Sequence, residues 1–143
     1  AAHGFEKIVF LNGHGGNSGV IASMRRKLMN EDNGPPCIGY TYFTLADEGL
    51  QAISEADFTI GHAAEMETSL QLYLQPELVE KGAATWAPGV YGDPTKATYE
   101  KGKRLFEAAV NAVVTMIDGY HSGKLEEALT WKRDISPEDR KYI

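Results

Sequence analysis

The sequence predicts an α/β protein, and three observations carry that reading. The apolar run Ile8-Val9-Phe10-Leu11 ends in a glycine-rich turn, an amphipathic segment follows the turn, and a second run rich in aromatic and branched residues comes a short connection later. A continuous apolar run bounded by turn formers reads as a buried strand. A strand, a helix and a strand in succession suggest a parallel pair.

Lys7 to Leu11 forms the first strand and feeds the turn Asn12-Gly13-His14-Gly15-Gly16-Asn17. Ser18 can cap the next helix, whose apolar positions Val20, Ile21, Met24 and Leu28 fall at helical spacing with Arg25, Arg26 and Lys27 largely outward. Asn33-Gly34-Pro35-Pro36 stops it, and Cys37 to Phe43, with Ile38, Tyr40 and Tyr42, reads as the second strand. Leu45 to Ser54 is a weak helix and Phe58 to Ile60 a short strand leading into Gly61-His62-Ala63-Ala64-Glu65-Met66-Glu67-Thr68-Ser69. That segment opens a helix burying Met66, Leu70, Tyr73 and Leu74, its polar start facing elsewhere, and it stops before Pro76. Ala83 to Pro94 is an irregular loop. Gly102, Leu105, Phe106, Ala109, Val110, Val113, Val114 and Ile117 then mark a long amphipathic helix, followed by a short helix from Leu125 to Trp131 and a charged tail from Lys132 to Ile143.

The 143 residues, 43% hydrophobic and 24% charged, suit one globular domain with a buried core. A formal charge of -6, with no basic cluster beyond Arg25, Arg26 and Lys27, argues against nucleic acid and anionic lipid as partners. Cys37 is the single cysteine, so no internal disulfide forms and a reducing compartment is expected. The apolar run behind Glu6 and Lys7 is too short for a signal peptide or a membrane span. A cytoplasmic protein is the resulting expectation.

Two clusters carry ligand-capable groups just after a strand, where open α/β sheets place their sites. In the first, His14 stands among three glycines that let a ligand or metal come close. The plainer account is a tight turn with an exposed histidine; a phosphate cradle is a third, but the Lys and Ser/Thr of a P-loop are missing. In the second, His62, Glu65 and Glu67 fall within six residues at a helix start. In a regular helix Glu65 and Glu67 lie about 200° apart, so only one of them aims at a given ion while the other supports. Taken alone, the acids would be favourable first-turn charges and His62 a near-cap residue.

The co-occurrence of Asn12-Gly13-His14-Gly15-Gly16-Asn17 with His62-Ala63-Ala64-Glu65-Met66-Glu67-Thr68-Ser69 resembles the paired signature of the creatininase (creatinine amidohydrolase) family. The resemblance extends to the strand before His14 and to the stretch from Gly92-Asp93-Pro94 to Gly102. It implies a three-layer α/β/α sandwich with a mainly parallel sheet, of which this chain is the C-terminal part. It further implies two divalent metal ions (Zn, Mn or Fe), hydrolysis of a C–N bond in a small-molecule substrate, and a homo-oligomer of complete units. Carried over residue by residue, His14 and Glu65 hold metal. His62 and Glu67 act in catalysis, and Gly15, Gly16, Asn17 and Phe58 bind substrate.

Two departures from the family pattern shape the expectation. The N-terminal part with a Glu-x-His pair and a following Asp is absent, so the missing N-terminal part of the same protein is an expected partner and the isolated chain should expose an apolar patch. True creatininases have Tyr and Glu after the loop histidine and a Trp-Asp pair before the second one, where this chain has Gly15, Gly16, Phe58 and Thr59. Creatinine itself is therefore not the expected substrate. Ala64 also replaces a common glycine, which a positive-φ position would not tolerate. The alternative function is a non-catalytic or incomplete subunit that keeps the loop and His62 for folding or ligand binding only.

Overall fold

The computed structural model describes residues 3–30, 34–55, 61–80 and 88–125. Strand β1, Ile8–Asn12, lies parallel to β2, Cys37–Thr41, with Ile8 opposite Cys37 and Asn12 opposite Thr41. Helix α1, Ser18–Asn30, makes the crossover between them and packs on β2. The approach is close: a Cβ on Gly39 would stand 2.5 Å from Ile21 Cγ2 and 3.0 Å from Arg25 Cδ. Arg25 therefore lies against the sheet, contrary to its expected outward placement. Ser18 does not cap α1; a 3-10 turn, Gly15–Asn17, precedes it, and the Ser18 hydroxyl meets that of Thr41 at 3.1 Å.

The second strand is shorter than the sequence suggests. Tyr42 and Phe43 leave the sheet and start helix α2, Tyr42–Leu45, followed by α3, Asp47–Gln51. Aromatic residues suit a strand or a helix start equally, and here burial decides: Phe43 packs onto the core of Ala46, Leu50, Met66 and Leu105, with Ile53, Leu70, Ala108 and Ala112 around it.

Helix α4, Glu65–Leu74, ends at Gln75 ahead of a 3-10 turn, Pro76–Leu78, because proline cannot continue a helix. Its expected apolar face is only partly buried: Met66 is covered, whereas Leu74 is 51% exposed. Helix α5, Tyr99–His121, crosses α4 at Gly102, where a Cβ would stand 1.8 Å from the Ser69 carbonyl oxygen. No side chain fits there. Ahead of α5, the 3-10 turn Pro94–Lys96 is capped by Asp93, whose carboxylate accepts the Thr95 hydroxyl and, at 2.9 Å, the Thr95 N–H. Those two bonds, with the charge of Lys96 behind them, hold the Asp93 carboxyl below the ordinary range.

Along α5 the expected apolar stripe is divided: Leu105 is buried, but Phe106, Val110, Val114 and Ile117 are exposed. Packing separates two compact units with the boundary between Val113 and Val114, inside α5. Among the described residues, no helix is long and apolar enough to cross a membrane. The expected strand at Phe58–Ile60, the helix beyond Leu125 and the tail from Lys132 lie outside the described residues.

Candidate functional site

The site starts from Asn12, the last residue of β1 and buried. Its Nδ2 donates to the His14 carbonyl at 2.7 Å and to Thr41 Oγ1 at 2.9 Å, while its Oδ1 accepts the His14 N–H at 3.2 Å. One side-chain amide thus folds the loop back on itself and ties it to the end of β2. His14 is presented exposed on that loop, and a Cβ on Gly16 would lie 2.9 Å from its Nε2. The glycine leaves room for the imidazole. Gly15 borders Phe43, whose Cζ is 3.5 Å from the place its Cβ would take, and Asn17 closes the turn by donating its N–H to the His14 carbonyl at 3.0 Å.

The second cluster is held by backbone. His62 and Tyr91 exchange two hydrogen bonds, His62 N–H to the Tyr91 carbonyl at 2.7 Å and Tyr91 N–H to the His62 carbonyl at 2.8 Å. The Ala64 methyl sits between Gly61 and Gly92, with Cβ positions 2.8 and 2.7 Å away. Ala64 has φ -98°, so the replaced glycine causes no strain there; the positive φ, 49°, belongs to Ala63. Ala63 is kept in that conformation by Glu67, whose Oε2 accepts the Ala63 N–H, and by Thr68, whose hydroxyl donates to the Ala63 carbonyl at 3.3 Å.

Glu65 and Glu67 have different surroundings, as their angular separation on a helix requires. Glu65, expected on a polar face, is 1% exposed. Its Oε1 lies 2.5 Å from Lys101 Nζ, its Oε2 accepts the Ser54 hydroxyl at 2.9 Å, and both oxygens accept the Glu55 N–H, at 3.1 and 3.0 Å. Lys101 also reaches Glu55 Oε1 at 3.0 Å and the Lys96 carbonyl at 2.8 Å. Burial alone would lower the Lys101 pKa, but the hydrogen bonds and charges of Glu65 and Glu55 outweigh it and raise it above the ordinary lysine value. A carboxylate this buried is stable only with such partners.

Glu67 is half-buried, and its charge is felt by Tyr42. Burial first, and then the negative charge of Glu67, push the Tyr42 phenol above its ordinary range. Tyr42 follows Thr41, which pairs with Asn12, so Tyr42 stands next in the chain to the residue that holds the His14 loop. Sequence reasoning missed Tyr42 because it assigned the residue to a strand interior; its position just past a parallel strand was the available signal. His62 is exposed beside Tyr91, and Phe58 lies outside the described residues. His14 and Glu67 have donor chemistry suited to a divalent ion, but among the described residues no three His, Cys, Asp or Glu side chains converge to hold one.

Residues 1–117 match the family model described as creatinine amidohydrolase. A mycofactocin precursor peptide peptidase of Mycobacterium ulcerans (strain Agy99) is 30% identical over 140 residues, covering 82% of this chain and 50% of that protein. One of the same name from Mycolicibacterium smegmatis (strain ATCC 700084 / mc(2)155) is 30% identical over 136 residues, 78% of this chain and 48% of that protein. The chain spans about half the length of the curated relatives it matches. Among solved structures, a W154F mutant creatininase superposes with a TM-score of 0.57 at 24% identity, covering 81% of this chain and 56% of the other, a likeness of fold. With residues 1–117 matched and the His14 motif on the loop that follows the first strand of a parallel pair, the chain belongs to the creatinine amidohydrolase family.

Proposed function

We propose that the protein containing this chain is a metal-dependent amidohydrolase that cleaves a C–N bond. The observation that carries the reading is the loop of His14, folded back by Asn12 and tied through Thr41 to the carboxyl end of a parallel strand pair, with Tyr42 next in the chain under the charge of Glu67. The described residues do not complete a metal shell, so the remaining ligands come from outside them, and the sheet extends into the three-layer sandwich of the family. When bound, divalent ions in such a site lower the pKa of water and polarise a carbonyl.

His14 serves as a metal-holding imidazole on a loop that Gly16 keeps clear. Of the two acids, Glu67 suits the site and Glu65 does not, because the Glu65 oxygens already meet Lys101, Ser54 and the Glu55 N–H. His62, exposed and with its backbone pinned to Tyr91, donates a proton to the departing nitrogen, a step for which an imidazole is suited. Gly15, Gly16 and Asn17 border the substrate. The relatives' printed name favours a peptide amide over creatinine as the scissile bond.

The test is turnover and metal content on one sample of the full-length protein, with a short peptide amide as substrate and creatinine as control. Amide hydrolysis abolished by a chelator and restored by Zn, Mn or Fe is the expected result. Chelator-resistant hydrolysis would remove the metal from the reading, and a metal-loaded protein without turnover would favour the non-catalytic alternative.

A further inference from the structure

We infer that Lys101 and Glu65 form a positioning pair for the polar start of α4, setting the direction of Glu67 and the backbone of His62 and Ala63 without touching substrate themselves. The inference rests on the functional reading above only in taking His62 and Glu67 as the working groups. Glu65 is the first residue of α4 and its side chain is drawn inward by Lys101, Ser54 and the Glu55 N–H. Each helical residue turns by about 100°, so anchoring Glu65 on that side commits Glu67, about 200° further round, to the opposite one. There Glu67 accepts the Ala63 N–H.

Ala63 adds an independent sign of constraint. Its φ of 49° is one that an L side chain keeps only where the surroundings impose it. The imposing contacts come from Glu67 and Thr68, both in the turn that Glu65 anchors. Without the anchor the turn rotates, Ala63 relaxes towards negative φ, and His62 moves with it. Lys101 also holds Glu55 and the Lys96 carbonyl, so one ammonium fixes the first turn of α4 to the end of the α3 segment and to the turn before α5. Stability alone does not require ions here, because buried ion pairs are often replaced by packed apolar side chains without loss.

That distinction gives the experiment. Amide 1H–15N spectra are recorded on the metal-free, substrate-free full chain with Lys101→Met, Lys101→Arg, Glu65→Gln and the double change Glu65→Leu with Lys101→Met. Lys101→Arg should leave the His62 and Ala63 resonances in place. Lys101→Met and the double change should displace both, Ala63 towards the position of an amide without a carboxylate acceptor, while Ile38 in β2 stays fixed. If Lys101→Met does not fold, the double change, which removes both charges, decides, and Glu65→Gln, which keeps the side-chain volume, decides if neither does. A folded variant lacking the ion pair with His62 and Ala63 unmoved would overturn the inference, as would displacement by Arg as large as that by Met. Because no metal or substrate is present, the outcome is independent of whether the hydrolase reading holds.

Discussion

At Gly16, a single methyl group would come within 2.9 Å of the His14 imidazole, so the loop's chemistry depends on a residue with none of its own. Gly16→Val should displace the ring and reduce retained metal in the full-length protein, measured by elemental analysis, towards the loss expected for His14→Ala. Metal retention unchanged by His14→Ala would remove His14 from the site. The two acids should also separate. Glu67→Gln is expected to lower turnover with little change in melting temperature, whereas Glu65→Gln should lower the melting temperature, because its carboxylate is fully buried against an ammonium. Equal effects in both assays would undo the division of roles. The two clusters that hold His14 and His62 with the two acids were visible in the sequence because each is a short, contiguous motif, whereas the separate surroundings of Glu65 and Glu67 came from the fold. Lys101 was not, because its partners, Glu55 and Glu65, lie 46 and 36 residues earlier and no local pattern announces such a pairing.

Among the elements, the crossing of α4 and α5 is the least tolerant. Gly102→Ala puts a carbon 1.8 Å from a backbone oxygen, which only separation of the helices relieves, and a loss of about 3 kcal/mol or more is expected in chemical denaturation. A loss under about 0.5 kcal/mol would mean the crossing is looser than the geometry indicates. The raised pKa of Lys101 makes the same region sensitive to alkali. A group whose pKa is higher in the folded state stabilises fully below its unfolded value, near about 10.4 for lysine, and the benefit disappears as pH rises through the folded value. The melting temperature should therefore fall on the alkaline limb, and Lys101→Met should flatten that limb. The helices themselves were readable from their 3.6-residue period. The end of β2 was not, since Tyr42 and Phe43 satisfy a strand pattern and a helix start alike, and only packing of Phe43 on Ala46 and Leu50 chooses between them.

For the molecule as a whole, the exposed apolar residues of α5 matter most. Phe106 and Val110 in the first unit are 37% and 41% exposed and four residues apart, and Val114 and Ile117 in the second are 49% and 43% exposed and three apart, spacings that put each pair on one side of its helical segment. Exposed apolar residues of this kind offer a surface suited to association. The chain should self-associate in a concentration-dependent way by sedimentation, and Val110→Lys should weaken that association while changing stability by under about 1 kcal/mol. A monodisperse wild-type monomer at all concentrations would count against it. Composition and periodicity had disclosed the α/β class and the parallel pair.

The Lys101 ammonium also affects when the backbone opens. It joins residues 54–55, 65 and 96 through contacts with Glu55, with Glu65 and its Ser54 partner, and with the Lys96 carbonyl, so the first turn of α4 separates from its surroundings only when several distant segments release together. Local fraying, the usual fate of a helix start beside exposed residues, is replaced by a larger cooperative opening. Deuterium should then enter the Thr68 amide, bonded to the Ala64 carbonyl at 2.9 Å, on the timescale of the helical core rather than that of surface loops.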